Sequence, residues 1–162
     1  MSPPVIHNDF TIERVYPQTA ARVFRGFSDP EKKRRWLAEG EGFVVDSYQL
    51  DFRIGGFERT RFHPSGGPPM TNDCLYLDIV DNERLVFAYS MTFDGAPMSS
   101  SLTTIELVPQ KAGTLLRFTE HTAYLDGNDG SAARRQGSLE LLEALASELG
   151  TELGTELGKD AS

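Results

Sequence analysis

Carboxylate, guanidinium and phenol groups occur among large apolar side chains in three segments that have the period of a β-strand. Successive side chains of a strand point to opposite faces, so alternate residues share one face. In each segment one such set is apolar apart from a single polar group, which is Arg14, Tyr89 or Glu120. The pattern predicts an apolar chamber with Arg14 and Glu120 at its polar positions, and a packed core without a chamber is the alternative. The three sets are Phe10, Ile12 and Arg14; Leu85, Phe87, Tyr89, Met91 and Phe93; and Leu116, Phe118 and Glu120.

A carboxylate near a phenol or an imidazole is suited to general acid and base catalysis, so a cyclase- or hydrolase-type enzyme would use Glu120, Tyr89 or His121. His121 has the strand parity opposite to that of Glu120, which predicts that it is exposed. The sequence contains no nucleophile elbow, P-loop, dinucleotide-binding glycine pattern or zinc-protease motif. These observations favour a binding protein without catalytic residues. A buried charge on Glu120 also requires a partner, which we expect to be Arg14 or Arg53.

Three other groups of residues have types that could form a site. Asp51 and Arg53, just before two glycines, are interpreted as a structural ion pair, and the alternative is that Arg53 anchors a carboxylate or phosphate of an apolar ligand. Cys74 has no basic neighbour in sequence and is interpreted as an unreactive, half-buried thiol rather than a nucleophile. The segment Asp126–Gly130 resembles a calcium loop but has Gly137 where the bidentate glutamate belongs, so we interpret it as a turn. No metal and no cofactor are expected.

Charge and composition exclude several classes of partner. The 162 residues carry a formal net charge of −8, which disfavours binding to nucleic acid. The basic run Lys32–Arg35 is interpreted as the solvated face of a short helix. No stretch approaches the ~20 apolar residues of a membrane span, and residues 1–9 lack the features of a signal peptide. With its single cysteine, the protein is expected in the cytoplasm.

The candidate residues are positioned by one strand, two short helices, about six antiparallel strands and a long C-terminal helix. The predicted strands are Asp9–Tyr16, Val44–Arg53, Phe57–Phe62, Leu75–Val80, Leu85–Phe93, Leu102–Val108 and Thr114–Thr122. The last helix, predicted over Ser131–Leu149, repeats leucine and alanine at three- and four-residue steps and must bury that stripe against the sheet. The order predicts an α+β domain in which a curved sheet grips the C-terminal helix.

The end of the chain repeats a short unit, SELG, TELG, TELG, over residues 147–158. Each unit contains a glycine, which weakens a helix. We therefore expect a single domain over residues 1–149 and a flexible acidic tail over residues 150–162.

Several short motifs point together to one family. They are FRGFSDPE at 24–31 with Arg35-Trp36, DFRIGG at 51–56, YLDI at 76–79 with ERLVF at 83–87, GTLLRFTEH at 113–121, and Gly137 before the leucine-rich stripe. With them the chain resembles the activator of heat-shock-protein-90 ATPase homologue-like family, part of the START-like (SRPBCC, polyketide cyclase and lipid transport) superfamily. The resemblance covers roughly residues 8 to 149 and implies the helix-grip fold.

The resemblance implies fold more firmly than activity, because the superfamily includes lipid carriers, cyclases, hormone receptors and co-chaperones. It also exposes a departure. Members usually carry Gly-Trp at the start of the last helix's packing face, whereas Ser138 follows Gly137 here. Loss of such a large side chain predicts an enlarged or open pocket at that end.

The leading hypothesis is a non-catalytic binding module that holds a small, largely apolar or aromatic molecule between the sheet and the C-terminal helix, as a monomer or homodimer. The alternatives are a co-chaperone or stress-response protein with a chaperone partner, and the enzyme described above. The residues expected to line the ligand cavity are Phe10, Ile12, Arg14, Trp36, Arg53, Phe87, Tyr89, Met91, Phe93, Leu116, Phe118, Glu120, Ser138, Leu142 and Leu145.

Overall fold

A computed structural model describes residues 1–37 and 42–160, with side chains as far as residue 151. Its strands form one antiparallel sheet in the order β1-β7-β6-β5-β4-β3-β2, so every neighbour except the β1–β7 pair is consecutive in sequence. The strands are β1 Ile6–Tyr16, β2 Phe43–Leu50, β3 Phe57–Pro64, β4 Met70–Val80, β5 Arg84–Phe93, β6 Ala96–Gln110 and β7 Gly113–Tyr124, and the helices are α1 Ala20–Ser28, α2 Pro30–Leu37 and α3 Ser131–Asp160.

Local sequence explains how the two short helices begin. Pro17 directly follows β1, and the Thr19 hydroxyl then accepts a hydrogen bond from the Arg22 N–H at 3.3 Å, as a helix N-cap does. Asp29 ends α1, and its carboxylate accepts the N–H groups of Glu31 and Lys32 at the start of α2. The predicted pair of helices after the first strand is confirmed.

Several strand boundaries differ from the predicted ones. β2 ends at Leu50, so Asp51 and Arg53 lie in a loop rather than on a strand face. β6 already begins at Ala96, because Asp94 and Gly95 both adopt positive φ and complete a tight turn between β5 and β6 by themselves. β4 begins at Met70, opposite Phe93.

The core lies where α1 and α3 meet the half of the sheet formed by β1, β7 and β6, and Trp36 of α2 packs into it. Gly26 permits a close approach of α1 and α3, because a Cβ there would come within 2.8 Å of Leu145 Cδ1. The Trp36 indole donates to the Gly26 carbonyl at 2.7 Å and fixes α2 against α1. Leu142, Leu145 and Leu149 are fully buried.

Helix α3 extends to Asp160, beyond the predicted end at Leu149. The division into a domain over 1–149 and a flexible tail over 150–162 stays a prediction. Over the described residues, no helix combines the length and the apolar character that crossing a membrane requires.

Candidate functional site

The concave face of the sheet carries the side chains that strand parity assigned to the interior. Ile12, Leu85 and Leu116 are buried, whereas Phe87, Tyr89 and Met91 are half-buried. The difference arises because α3 contacts the sheet at β1 and α2 contacts it at β2, which are the two edge strands, whereas β5 lies between them. The concave face of β5 is therefore less covered than that of β1 and β7.

Glu120 lies at the centre of a buried polar group, which we call the Glu120 cluster: Tyr89, Thr103, Glu120, Thr122 and Arg134. The Tyr89 hydroxyl donates to Glu120 Oε1 at 2.6 Å, and the Thr103 hydroxyl donates to the same oxygen at 3.1 Å. The Thr122 hydroxyl donates to Oε2 at 3.1 Å, and an Arg134 nitrogen lies 3.5 Å from that oxygen. Both carboxylate oxygens are therefore occupied by protein groups.

Arg134, at the end of the first turn of α3, is the charge partner of Glu120. Its guanidinium also donates to the hydroxyls of Tyr89 at 2.9 Å, Ser101 at 3.2 Å and Ser99 at 2.7 Å. Burial opposes its charge, but Tyr89 and Glu120 outweigh that effect, so the pKa of Arg134 is raised. Burial, together with the Glu120 charge, raises the pKa of Tyr89, which stays a protonated donor.

A continuous series of ring contacts leads to this cluster, and we call its five members the aromatic row: Phe24, Phe52, Tyr76, Phe87 and Tyr89. Phe24 of α1 contacts Phe52 edge to face at 5.7 Å, and Phe52 contacts Tyr76 at 5.0 Å. Tyr76 in turn contacts Phe87 at 5.9 Å, and Phe87 contacts Tyr89 at 6.2 Å between ring centres. The row gives the concave face an aromatic surface that runs from the core to Tyr89.

A second buried polar group lies beneath α2, and we call it the Glu58 cluster: Lys33, Tyr48 and Glu58. The Lys33 ammonium lies 3.1 Å from Glu58 Oε2, and the Tyr48 hydroxyl donates to that oxygen at 2.6 Å. Lys33 is 4% exposed and its charge lies over the rings of Phe27 and Trp36. The interpretation of Lys32–Arg35 as a solvated helix face is therefore wrong at Lys33.

The structure separates some of the predicted cavity residues from the rest. Arg14 pairs with Glu143 of α3 at 2.6 Å, and Arg53 pairs with Asp51 at 2.8 Å with 69% of its side chain exposed. The ion pair of Asp51 and Arg53 is confirmed. The expectation that Arg14 or Arg53 neutralises Glu120 is wrong, because both are held elsewhere and α3 brings Arg134 to the carboxylate.

The other predicted residues lie at different depths. Phe93, near the β5–β6 turn, is exposed, whereas Phe10 and Phe118 stack at 6.1 Å beside the core. Ser138 faces the interior and is 5% exposed. Trp36 is a core residue, between α1 and α2. That these residues line a ligand cavity stays a prediction.

Arg134, Lys33, Glu58 and Tyr76 were not predicted as site residues. A signal for Arg134 exists, because it precedes Ser138 by four residues and Leu142 by eight and so extends the buried stripe of α3. No comparable signal marks Glu58, since charged residues occupy both faces of the β3 sequence.

His121 lies on the convex face with 61% of its side chain exposed, as its parity predicted, and its nearest acidic partner is Asp9 at 4.0 Å. It is thus separated from Glu120 by the sheet. Cys74 is free and 6% exposed, so it is buried rather than half-buried as predicted. Burial raises the pKa of its thiol to about 12, and that the thiol is unreactive stays a prediction.

Two surface depressions lie elsewhere. One, of about 470 Å³, lies on the convex face beside His7, Asp9, Leu102 and His121, and the other, of about 670 Å³, lies between the start of α1 and the β6–β7 turn.

Asp126–Gly130 forms a turn, in which Asp126 accepts the Asn128 N–H and Asp129 accepts the Ser131 N–H. Across residues 1–37 and 42–151, no three His, Cys, Asp or Glu side chains converge as a metal ion would require.

The seven-stranded antiparallel sheet, curved about a long C-terminal helix with two short helices after its first strand, defines a START-like protein of the helix-grip fold. Within that class, the model of the family described as Activator of Hsp90 ATPase homolog 1-like protein matches residues 17–150. The chain belongs to this family, and the predicted fold is confirmed.

Solved structures agree with this assignment. A protein from Rhizobium loti is 48% identical, with 90% of this chain and 99% of that one covered and a TM-score of 0.84. A protein from Rhizobium leguminosarum is 38% identical, with coverage of 91% and 97% and a TM-score of 0.88. A family member from Aeromonas hydrophila shares the fold at 16% identity and a TM-score of 0.66, with coverage of 90% and 94%. Among curated proteins, the comparison found no match.

Proposed function

We propose that the protein is a non-catalytic binding module that holds a small, largely apolar molecule on the concave face of the sheet, beside α3. The observation that supports this most strongly is the aromatic row, which continues to Tyr89 in the half-buried part of that face. Family and fold support a binding module or a co-chaperone-type role at the coarser level. The buried free thiol of Cys74 suits the reducing cytoplasm in which we place the protein.

The arrangement of polar groups favours binding over catalysis. A general acid or base must have an oxygen or nitrogen available to the substrate. Both oxygens of Glu120 accept hydrogen bonds from neighbouring side chains, and Tyr89 donates to Glu120 while it accepts from Arg134. The Glu120 cluster therefore acts as a rigid polar wall beside the apolar ligand and links α3 to β5, β6 and β7.

The proposal is tested with naphthalene as an apolar aromatic probe and decanol as an aliphatic one. We expect at least one probe to raise the unfolding temperature, since a ligand at a hundredfold excess over its Kd adds about 2.7 kcal/mol of stability. Met91→Gln should weaken binding, because Met91 lies on the concave face, whereas Ser90→Gln on the convex face should not. Failure of both probes, or equal effects of the two variants, would contradict the proposal.

A co-chaperone role is the second candidate, and it is favoured by the family match over residues 17–150. It predicts that the purified chain accelerates ATP hydrolysis by a heat-shock-protein-90 chaperone. An unchanged hydrolysis rate at a saturating concentration of the chain would remove this candidate.

A further inference from the structure

Tyr76 combines deep burial with an unsatisfied polar atom. The residue is 1% exposed and lies in the middle of the aromatic row, between Phe52 and Phe87. Its backbone is fully engaged, since its N–H donates to Gly56 and its carbonyl accepts from Gly55. Its hydroxyl, however, has no hydrogen-bond partner among the described residues. Such a group is costly to bury, because it loses its hydrogen bonds to water without replacement.

The hydroxyls of the neighbouring tyrosines on the concave face are occupied by the protein itself. The Tyr89 hydroxyl and both oxygens of Glu120 are bonded within the Glu120 cluster, and the Tyr48 hydroxyl is bonded to Glu58. The other unpartnered buried atom of the described chain, Gln18 Oε1, precedes α1 at the far end of β1. Tyr76 is therefore the polar atom of the aromatic row that is left to bind something else.

We propose that the Tyr76 hydroxyl forms the polar contact to the bound apolar molecule, and that this molecule is neutral and carries a carbonyl or hydroxyl oxygen. This inference rests on the proposed function. It adds the chemical class of the ligand and the residue that recognises its oxygen.

The charges around Tyr76 explain why the ligand is neutral. Lys33 and Glu58 compensate each other at 3.1 Å, so neither is free to neutralise a third charge. A carboxylate beside Tyr76 would meet the Glu58 charge, and an ammonium group would be buried without a counter-ion. Burial, followed by the charge of Glu58, raises the pKa of Tyr76, so its hydroxyl remains a protonated donor.

Calorimetric titration with naphthalene, 2-acetylnaphthalene and 2-naphthoate tests both the role of the Tyr76 hydroxyl and the neutrality of the ligand. In Tyr76→Phe we expect the affinity for 2-acetylnaphthalene to fall about 2- to 12-fold, the value of one net hydrogen bond. Naphthalene should bind the variant and the wild type equally, because it has no oxygen. 2-Naphthoate should bind the wild type more weakly than 2-acetylnaphthalene.

Tyr16→Phe is the matched control. The Tyr16 hydroxyl is also buried on this face, but it donates to the Leu142 carbonyl at 2.8 Å. Its removal should lower the unfolding midpoint and leave the affinity for 2-acetylnaphthalene unchanged. Tyr76→Phe should not lower the midpoint, since its hydroxyl makes no bond that is lost.

The failures of the two proposals are distinguishable. If naphthalene binds but Tyr76→Phe leaves the affinity for 2-acetylnaphthalene unchanged, the inference about Tyr76 is overturned and the binding module stands. A lowered unfolding midpoint in Tyr76→Phe would show that the hydroxyl is already bonded in the free protein and would also overturn it. If neither decanol nor any of the three naphthalene compounds binds, the proposed function and the inference both fail.

Discussion

Glu120 and Arg134 form a buried pair that joins α3 to the sheet, so each depends on the other for its charge compensation. Glu120 is 1% exposed, and 12% of the Arg134 side chain is exposed. Removing one member of such a pair leaves the other charge buried and unpaired. The hydroxyls of Tyr89, Thr103 and Thr122 would also lose a charged acceptor.

We expect Glu120→Gln to lower the free energy of unfolding by about 2 to 4 kcal/mol, measured by urea denaturation. The affinity for naphthalene should change only modestly, because the carboxylate lines the proposed site while its oxygens are bonded within the Glu120 cluster. The matched control is Glu13→Gln on the same sheet, whose partner Arg117 lies on the exposed convex face at 3.0 Å. It should leave the unfolding midpoint unchanged, and equal effects of the two substitutions would contradict a special role for Glu120.

The Cys74 thiol makes the free energy of unfolding depend on pH in the alkaline range. Burial raises its pKa from 9.0 to about 12 in the folded protein. Because the folded state holds this proton more tightly, the stabilisation is complete below pH 9 and is lost as the pH rises towards 12.

Between pH 8 and pH 10 we therefore expect the free energy of unfolding to fall, and Cys74 contributes a slope that approaches about 1.4 kcal/mol per pH unit. Buried tyrosines, whose pKa is raised from 10.0, add to this slope as the pH approaches 10. Urea denaturation at several pH values measures the slope. Cys74→Ala should reduce it, although the variant starts from a lower stability because it loses a buried side chain. A slope identical in the two proteins would mean that other groups cause the decline.

At the scale of elements, Ser138 lies on the buried face of α3. The side chain is buried on the inner face of the helix, four residues after Arg134. A tryptophan there would occupy the space beside the concave face that the proposed ligand requires.

We expect Ser138→Trp to abolish detectable naphthalene binding while the unfolding midpoint stays within a few degrees of the wild type. Ser138→Ala, which adds no volume, should retain binding. Undiminished binding in the tryptophan variant would show that the ligand does not use the space beside α3.

The strands and helices also show which features of the site can be predicted from the sequence and which cannot. Strand parity assigned Glu120, Phe118 and Phe87 to the concave face correctly, because alternation is a local property of each strand. The partner of Glu120 was assigned wrongly, because Arg134 reaches it only after α3 has packed across the sheet. Lys33 was assigned to solvent for the same reason: its burial depends on Glu58, which is 25 residues away in sequence.

At the scale of the whole molecule, Leu149 is the last fully buried leucine of α3 up to residue 151, where the description of side chains ends. It packs in the core formed by the three helices and lies within van der Waals distance of a Cβ at Gly26 of α1. The next residues, Gly150 and Thr151, are exposed. Leu149 therefore marks the position up to which α3 contributes side chains to the described core.

Removal of residues 150–162 is expected to change the unfolding temperature by no more than a few degrees. The repeat TELG contains helix-weakening glycines, and a helix terminus that is not packed contributes little to global stability. A chain truncated one residue earlier, so that Leu149 is also lost, should be destabilised by about 2 to 5 kcal/mol. Thermal denaturation of the two truncated proteins against the full chain makes the comparison. A large loss on removing residues 150–162 alone would show that they are packed, in the monomer or across a dimer interface.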